Sequence, residues 1–318
     1  MRPVPNDTAA GQFDFKEGEA QLGATITLRY LEAGAGPLVL FLHGFPDFSY
    51  GWRHQLTALA AAGYRAVAPD LRGYNRSSKP RRVAAYDLPV LGADVAALVR
   101  ALGEERAAAI VGHDWGGVIA WHVAEQRPEL LERLVILNAP HPAAFARELA
   151  TPDQVARSAY VFFFQLPWLP EFVLRAGGSY APLLRALRRM VKRPGAMTDT
   201  DLARRRDALA QPGALTAALN YYRAFGRRLA RRAVRRAIAR LFGGAGAGRG
   251  ERSATVQAPT LLLWGERDPA LGVRLTEGLE RWVPRLEVRR FPKAGHWVQL
   301  DEPDVVSEAI VEWVRARK

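Results

Sequence analysis

The chain has 318 residues, 49% of them hydrophobic, which is enough to bury a large core and to form one α/β domain with a smaller insertion. It contains no cysteine, which excludes a disulfide framework, a thiolate metal site and a cysteine nucleophile. The net charge of +13 raises the question of a polyanionic partner, because a strongly positive field attracts polyanions without sequence preference.

The N-terminal twenty residues are polar and mixed in charge, without the apolar run that a secretory signal needs. The longest aromatic and aliphatic run, 160–174, is broken by Pro167, Pro170 and Glu171 and is shorter than the ~20 residues that span a bilayer. We therefore expect a cytoplasmic protein without a membrane span.

The first half of the chain alternates short apolar runs with helical patterns, which is typical of βαβ units and a mostly parallel sheet. Strands are predicted at 38–42, 65–69, 107–111 and 134–137, and helices at 91–102 and 118–125. His43-Gly44-Phe45-Pro46 follows the first of these strands, and Gly112-His113-Asp114-Trp115-Gly116-Gly117 follows the third.

From 141 to about 252 the sequence has helical patterns, aromatics and arginines but no strand alternation, which predicts an inserted helical cap. The cap ends in the glycine-rich segment 243–250, which is interpreted as a linker because no strand precedes it and no Gly-Lys-Ser/Thr follows. Strand signals resume at 260–264 and 286–291, and a helix is predicted at 304–315. The predicted organisation is thus an α/β core at 1–140, a helical cap at 141–252 and the rest of the core at 253–318.

One stretch of the cap, 223–240, holds much of the excess positive charge. Its apolar residues recur at helical spacing, which predicts an amphipathic helix with a solvated basic face. These apolar residues are Leu229, Val234, Ile238 and Leu241. We favour a solvated face over a polyanion site, so no nucleic-acid partner is expected.

The segment from Gly112 to Gly116 fits the pattern Gly-x-nucleophile-x-Gly of a nucleophile elbow. Its glycines leave room for a sharp turn that holds Asp114 in a strained conformation at the start of a helix. There the helix dipole and free backbone N–H groups favour the ionised carboxylate. Asp114 could be only a helix N-cap, but a cap does not need the paired glycines.

An acid and a histidine follow the nucleophile in chain order, each just after a predicted strand: Asp268 and His296. A carboxylate bonded to one imidazole nitrogen fixes the tautomer and leaves the other nitrogen to take a proton from water. The backbone N–H groups of Phe45 and Trp115 are expected to form an oxyanion hole. Surface or capping roles are expected for His54 and His122, and packing or hydrogen-bonding roles for His43 and His113.

Taken together, the motifs from His43 to Pro46 and from Gly112 to Gly117, with Asp268 and Gly295-His296-Trp297, resemble those of α/β-hydrolase-fold epoxide hydrolases. The resemblance implies an α/β-hydrolase fold with a mostly parallel central sheet, flanking helices and an inserted helical cap.

The resemblance extends to the cap segments 160–167 and 219–223, which are similar to two family segments that each supply a tyrosine. It implies that Tyr160 and Tyr222 bind the epoxide oxygen through their hydroxyl groups, with Tyr221 as the alternative to Tyr222. From the residues alone these tyrosines would be assigned to cap packing.

The implied reaction is attack of Asp114 on an epoxide carbon, followed by hydrolysis of the ester by water that His296 and Asp268 activate. The expected partners are an apolar epoxide and water, with no cofactor and no metal. Residues expected to contact the substrate are Phe45, Trp115, Phe164, Trp168 and Trp297. The sequence does not define the oligomeric state, and a homodimer is compatible with it.

Three other activities compete with this interpretation. A haloalkane dehalogenase also resembles the chain through Asp followed by Trp, but Phe45 lacks the second side-chain donor for a halide. A haloacetate dehalogenase would need arginines close after the nucleophile, and an esterase would need Ser at position 114. In a different class, an inactive hydrolase scaffold could bind an acidic partner or a membrane surface through its basic cap.

Overall fold

A central sheet organises the computed structural model, which describes residues 13–175, 177–241 and 255–316. In these residues the sheet has eight strands in the order β1-β2-β4-β3-β5-β6-β7-β8. The strands are β1 (Lys16–Leu22), β2 (Ile26–Ala33), β3 (Leu38–Leu42), β4 (Arg65–Pro69), β5 (Ala109–His113), β6 (Leu134–Leu137), β7 (Thr260–Gly265) and β8 (Leu286–Phe291). β1 and β2 are antiparallel to their neighbours, and β3 to β8 are mutually parallel. The prediction of a mostly parallel sheet is confirmed.

The predicted strands are found at or near their expected positions, and β5 lies two residues later than predicted. The first two strands were not predicted. β1 is an edge strand in which only Ala20 and Leu22 are buried, so its sequence carries little apolar signal.

Every residue of β3, β5, β6 and β7 is buried, because helices cover both faces of the sheet. Alternate side chains therefore enter two different cores. Leu40 and Ile110 belong to one, and Val39 and Val111 belong to the other.

The helices of the core are α1 (Arg53–Ala61), α2 (Leu88–Ala101), α3 (Trp115–Gln126), α11 (Val298–Asp301) and α12 (Pro303–Arg315). Between β6 and β7 lie the cap helices, which are α4 (Pro142–Glu148), α5 (Pro152–Arg157), α6 (Ala159–Phe163), α7 (Leu169–Arg175), α8 (Ala181–Met190), α9 (Asp199–Ala210) and α10 (Ala214–Leu241). Within the described residues this insertion contains no strand. The predicted cap boundary at 140/141 falls between β6 and α4, and the one at 252/253 lies outside the described residues.

The helix α10 is longer than the predicted 223–240. The prediction of an apolar face is wrong for Leu229 and Val234, the two of its residues whose side chains are described. Leu229 and Val234 are exposed, whereas Arg228 and Arg232 are half-buried, so the covered side of the described part of this stretch is not the apolar one. The side chains of Ile238 and Leu241 and the glycine-rich segment 243–250 lie outside the description. No helix in the described part of the chain combines the length and the apolar character needed to cross a membrane.

Two buried ion pairs fasten α9 of the cap to the core. Arg205 lies 3.0 Å from Asp47, and Arg53 lies 3.1 Å from Asp201, with all four side chains almost fully buried. Removing one partner of such a pair costs about 3–5 kcal/mol, because the other charge is left buried alone. The cap is therefore held firmly against the loop that follows β3.

Because β3 and β5 to β8 are parallel, their carboxyl ends meet at one edge of the sheet. The residues that follow them include Phe45, Asp114, Asn138, Asp268 and His296. Five segments that are distant in sequence thus converge under the cap helices.

Candidate active site

Asp114 stands at the turn between β5 and α3 with φ 50° and ψ −121°, a conformation that L-residues rarely adopt. A Cβ atom on Gly112 would lie 2.5 Å from the carbonyl oxygen of Gly116, and one on Gly116 would collide with the backbone of Leu42. A Cβ atom on Gly44 would collide with the Asp114 side chain. The strained elbow predicted from the glycine spacing is confirmed, and these glycines are required for it.

Two backbone N–H groups hold the Asp114 carboxylate. Phe45 donates to Oδ1 over 2.7 Å, and the N–H of Trp115 also forms a hydrogen bond with the carboxylate. Burial raises the Asp114 pKa, and the charge of His296 and these two hydrogen bonds lower it only in part. The stabilisation expected at the helix start is present, but it is smaller than the effect of burial. The same two donors are placed to form the predicted oxyanion hole.

His296 lies between the two carboxylates. Its Nδ1 donates to Oδ2 of Asp268 over 2.6 Å, and its Nε2 lies 3.7 Å from Oδ2 of Asp114. Burial by itself lowers the His296 pKa, but the Asp268 carboxylate and the Asp114 charge outweigh it, so the pKa is raised. Nε2 is thus the nitrogen available to accept a proton beside Asp114.

Asp268 accepts four hydrogen bonds, which fill the lone-pair sites of its carboxylate. Ala270 and Leu271 donate backbone N–H groups to Oδ1, over 2.8 and 3.0 Å. Oδ2 accepts from His296 and, over 2.8 Å, from Nδ2 of Asn138. The acid is therefore held in one orientation.

Asn138 was not assigned a role from the sequence. It is fully buried just after β6 and exchanges hydrogen bonds with the backbone of Gly265, which ends β7. Its polar side chain follows an apolar strand next to the strand that carries the acid. That placement could have indicated a contact between Asn138 and Asp268, but only once the order of the strands in the sheet was known.

The cap also holds the loop that carries Asp268. Gln154 of α5, which is buried, donates to the carbonyl of Ala270 over 2.9 Å and accepts from the N–H of Gly272 over 3.2 Å. Arg157 donates to the carbonyl of Asp268 over 3.2 Å. No sequence motif marks these cap residues, so sequence reasoning missed them.

The two predicted tyrosines meet beside Asp114. The Tyr222 ring packs on Trp115 at 5.1 Å and on Phe45 at 5.5 Å between centroids, and the Tyr160 ring lies 5.9 Å from it. Burial and the Asp114 charge raise the pKa of both phenols, so both keep their protons at neutral pH. The Trp115 side chain lowers the pKa of Tyr222 by a smaller amount, which does not reverse the shift.

The neighbouring tyrosine has a different position. The hydroxyl of Tyr221 donates to the carbonyl of Arg72 over 2.7 Å and joins α10 to the core. Both rings contact Trp115, but the Tyr221 hydroxyl is bound to the core, and of the two phenols it is Tyr222 on which the Asp114 charge acts.

Of the remaining residues expected to contact the substrate, two lie at the site and one does not. Phe164 is buried and its ring packs on Phe45 and Tyr222. Trp297 is buried behind His296, at 4.7 Å between ring centroids. The structure does not bring Trp168 to this cluster, because it lies at the turn before α7 with φ 50° and its side chain points to solvent.

His43 and His113 have the hydrogen-bonding roles expected of them. His43 donates from Nδ1 to the Gly44 carbonyl and accepts at Nε2 from the N–H of Leu71. His113 donates from Nε2 to the carbonyl of His296 over 2.9 Å. Among the described residues no cluster of three His, Cys, Asp or Glu side chains is placed to hold a metal ion.

Comparison with known proteins agrees with this geometry. The chain belongs to the α/β-hydrolase fold family, whose model matches residues 37–303. It is 37% identical to the AB hydrolase superfamily protein YfhM of Bacillus subtilis, over 91% of this chain and 95% of the relative. It is 35% identical to epoxide hydrolase 4 of Mus musculus, over 90% of this chain and 75% of the relative. Within the α/β hydrolases, the chain thus groups with the epoxide hydrolases.

Solved structures lead to the same group. An epoxide hydrolase of Bacillus megaterium in complex with an inhibitor has a TM-score of 0.78 at 29% identity, covering 94% of this chain and all of the other. One of the epoxide hydrolases found in metagenomes from hot environments has a TM-score of 0.80 at 33% identity, covering 96% of this chain and all of the other. The similarity therefore includes the cap as well as the sheet.

Proposed function

We propose that this protein converts an apolar epoxide and water into a vicinal diol through a hydroxyalkyl ester of Asp114. The observation that carries the proposal is the environment of that carboxylate. One oxygen is held by the Phe45 N–H, the other faces His296, and the phenols Tyr160 and Tyr222 lie alongside. The relatives named epoxide hydrolases support it, and one Bacillus megaterium structure is described as complexed with its product (R)-3-[1]naphthyloxy-propane-1,2-diol.

In the first step, Oδ2 of Asp114 forms a bond to an epoxide carbon as the ring C–O bond breaks. The departing oxygen becomes an alkoxide, which is a poor leaving group unless it is protonated or hydrogen-bonded. Tyr160 and Tyr222 supply the O–H groups, and their raised pKa values keep them protonated for this role. An aspartyl ester can later be cut at its carbonyl, whereas the ether that a serine would form cannot.

In the second step, Nε2 of His296 takes a proton from water as the water oxygen attacks Cγ of Asp114. Negative charge develops on Oδ1, which the N–H groups of Phe45 and Trp115 stabilise. The acyl C–O bond then breaks, the diol leaves with a proton, and the water oxygen stays in the Asp114 carboxylate. The proposed enzyme needs no cofactor, and we assign it to the cytoplasm.

The donors around Asp114 favour epoxide opening over dehalogenation. Halide release needs side-chain N–H donors, and Phe45 has none. Trp115 is then the remaining side-chain donor, so the stabilisation of a halide is incomplete. The complete triad likewise argues against an inactive binding scaffold, because a scaffold would not need a general base at this distance from the elbow carboxylate.

The test uses His296→Gln, which should still form the ester but hydrolyse it slowly. After addition of styrene oxide, mass spectrometry of a digest should show the adduct on the peptide with Asp114. His122→Gln, a substitution on α3 outside the triad, should turn over without accumulating adduct. A His296→Gln protein without adduct would contradict the two-step scheme.

Two further measurements separate the alternatives. In a single turnover in ¹⁸O-water with enzyme in excess, the diol should carry no label, since its new oxygen comes from Asp114. Label in that diol would mean that water attacked the ring directly. Incubation with 1-bromobutane should release no bromide, and bromide release without diol formation from styrene oxide would establish the dehalogenase instead.

A further inference from the structure

The tip of the cap exposes a group of large apolar side chains, which we call the aromatic tip. Phe162, Trp168 and Phe172 are 61%, 71% and 74% exposed, and Leu166 and Val173 are exposed beside them. In the described residues, every exposed large aromatic side chain belongs to this group. A concentration of exposed apolar surface at one place marks an interaction site, whereas isolated exposed residues do not.

The chain around the aromatic tip is strongly basic. Residues 154–198 contain one acidic side chain, Glu171, against seven basic ones. Arg223 neutralises Glu171 through two hydrogen bonds of 2.7 and 2.9 Å. Residues 208–234 contain five arginines and no acidic residue.

The aromatic tip and the arginine-rich part of α10 form one continuous surface. Arg223 donates to the carbonyl of Leu166 over 2.9 Å, and Gln165 donates to the carbonyl of Tyr222 over 3.0 Å. One turn further along α10, Arg227 and then Arg231 are exposed. Apolar rings and arginines are therefore presented side by side.

We propose that this surface docks the protein on an anionic phospholipid bilayer. Trp168 and Phe172 enter the boundary between headgroups and acyl chains, where aromatic side chains are favoured, and Arg227 and Arg231 lie against the lipid phosphates. The charge of the surface argues for this occupant, since a second copy of the chain would bring two basic surfaces together. Single-stranded nucleic acid also binds arginines and aromatic rings, but Leu166 and Val173 offer no face on which bases stack.

The first test is flotation with vesicles at 100 mM NaCl. The protein should float with vesicles of phosphatidylglycerol and phosphatidylcholine but not with phosphatidylcholine alone. Trp168→Ser with Phe172→Ser should weaken binding by at least about tenfold, because the buried apolar area is lost. Val305→Ser, which removes an exposed apolar side chain of the core helix α12, should have no effect.

The basic half of the surface has its own matched control. Arg227→Gln with Arg231→Gln should weaken binding by about tenfold, as expected for two arginines near an anionic surface. Arg76→Gln with Arg285→Gln removes the same charge from exposed sites on the core and should weaken it less than twofold. An equal loss in both pairs would mean that net charge alone drives binding and would overturn the proposal.

Fluorescence quenching identifies the residue that enters the lipid. Vesicles with brominated acyl chains should quench the protein, and Trp168→Phe should bind but lose most of the quenching. Unchanged quenching would place a different tryptophan in the bilayer and overturn this surface. So would tight binding of single-stranded DNA without vesicle binding, or a homodimer that Trp168→Ser with Phe172→Ser converts to monomer in light scattering.

Discussion

Replacing Asn138 with leucine should slow hydrolysis of the ester while leaving its formation unchanged. Asn138 supplies one of the four hydrogen bonds to Asp268, over 2.8 Å, and it does not contact Asp114. A hydrogen bond to a charged group contributes about 1.5–3 kcal/mol. If all of that stabilises the imidazolium formed in the second step, hydrolysis slows by about 10- to 150-fold.

The same substitution also removes both hydrogen bonds between Asn138 and the buried backbone of Gly265. Each unsatisfied buried group costs about 1–3 kcal/mol, so the free energy of unfolding should fall by about 2–6 kcal/mol. Gln55→Leu is the matched control, because the buried Gln55 amide makes three hydrogen bonds to residues 299, 303 and 307 and none to the triad. It should destabilise the protein without changing either rate.

The assay is stopped-flow single turnover of styrene oxide, with ester formation followed by tryptophan fluorescence and hydrolysis by diol release. A slow second phase with a normal first phase is expected for Asn138→Leu. Equal slowing of both phases, or hydrolysis within twofold of the wild-type rate, would refute the argument that Asn138 orients the acid.

Three further predictions concern the division of work in the site. Replacing both Tyr160 and Tyr222 with Phe should slow ester formation by ~10² to 10⁴-fold, the range of general acid assistance, without slowing hydrolysis of ester already formed. The rate of ester hydrolysis should rise with pH as His296 loses its proton, since only the neutral ring accepts one from water. Asp268 and, by a smaller amount, Asp114 raise the His296 pKa in the free enzyme, and ester formation removes the Asp114 charge. The kinetic midpoint should therefore lie below the pKa measured by NMR in the free enzyme. Gln154→Leu should slow hydrolysis by about 3- to 10-fold in single turnover, because two hydrogen bonds that position the acid's loop are lost.

For each of these predictions, a specific result or control variant would contradict it. Undiminished epoxide opening in the double Phe variant would mean that another group is the acid. The control for this variant is Tyr64→Phe, which removes a hydroxyl on the other side of the sheet. A kinetic midpoint at or above the NMR value would show that the Asp114 charge does not act on His296. Val155→Ser, an exposed change on the same helix as Gln154, should be silent.

The sequence predicted the elements whose burial produces a local pattern of apolar residues. β3, β4, β6 and β8 were located because apolar runs end at glycine, proline or polar residues. β1 was missed because an edge strand buries few of its side chains. In α10, Leu229 and Val234 are exposed while Arg228 faces Asp87 of the core, and the apolar pattern alone could not show which side of the helix is covered.

Sequence reasoning located the site residues that directly follow a strand. It missed those whose contacts depend on which strands and helices are neighbours in the fold. Asp114 carries its own evidence in the flanking glycines. Asn138 and Gln154 contact the acid's loop only because β6 adjoins β7 and α5 packs against the core. Assigning Tyr222 required the family resemblance, because its neighbour Tyr221 is equally buried.

The two ion pairs that fasten α9 determine how molecules can enter and leave. Swinging the cap away as a rigid lid would pull Arg205 from Asp47 and Arg53 from Asp201, and the full separation would cost several kcal/mol. Entry of the substrate and release of the product should then depend on rotation of individual side chains and not on movement of the cap as a whole. With the cap fixed in this way, Tyr160 and Tyr222 can keep their positions around the reacting oxygen from one catalytic cycle to the next.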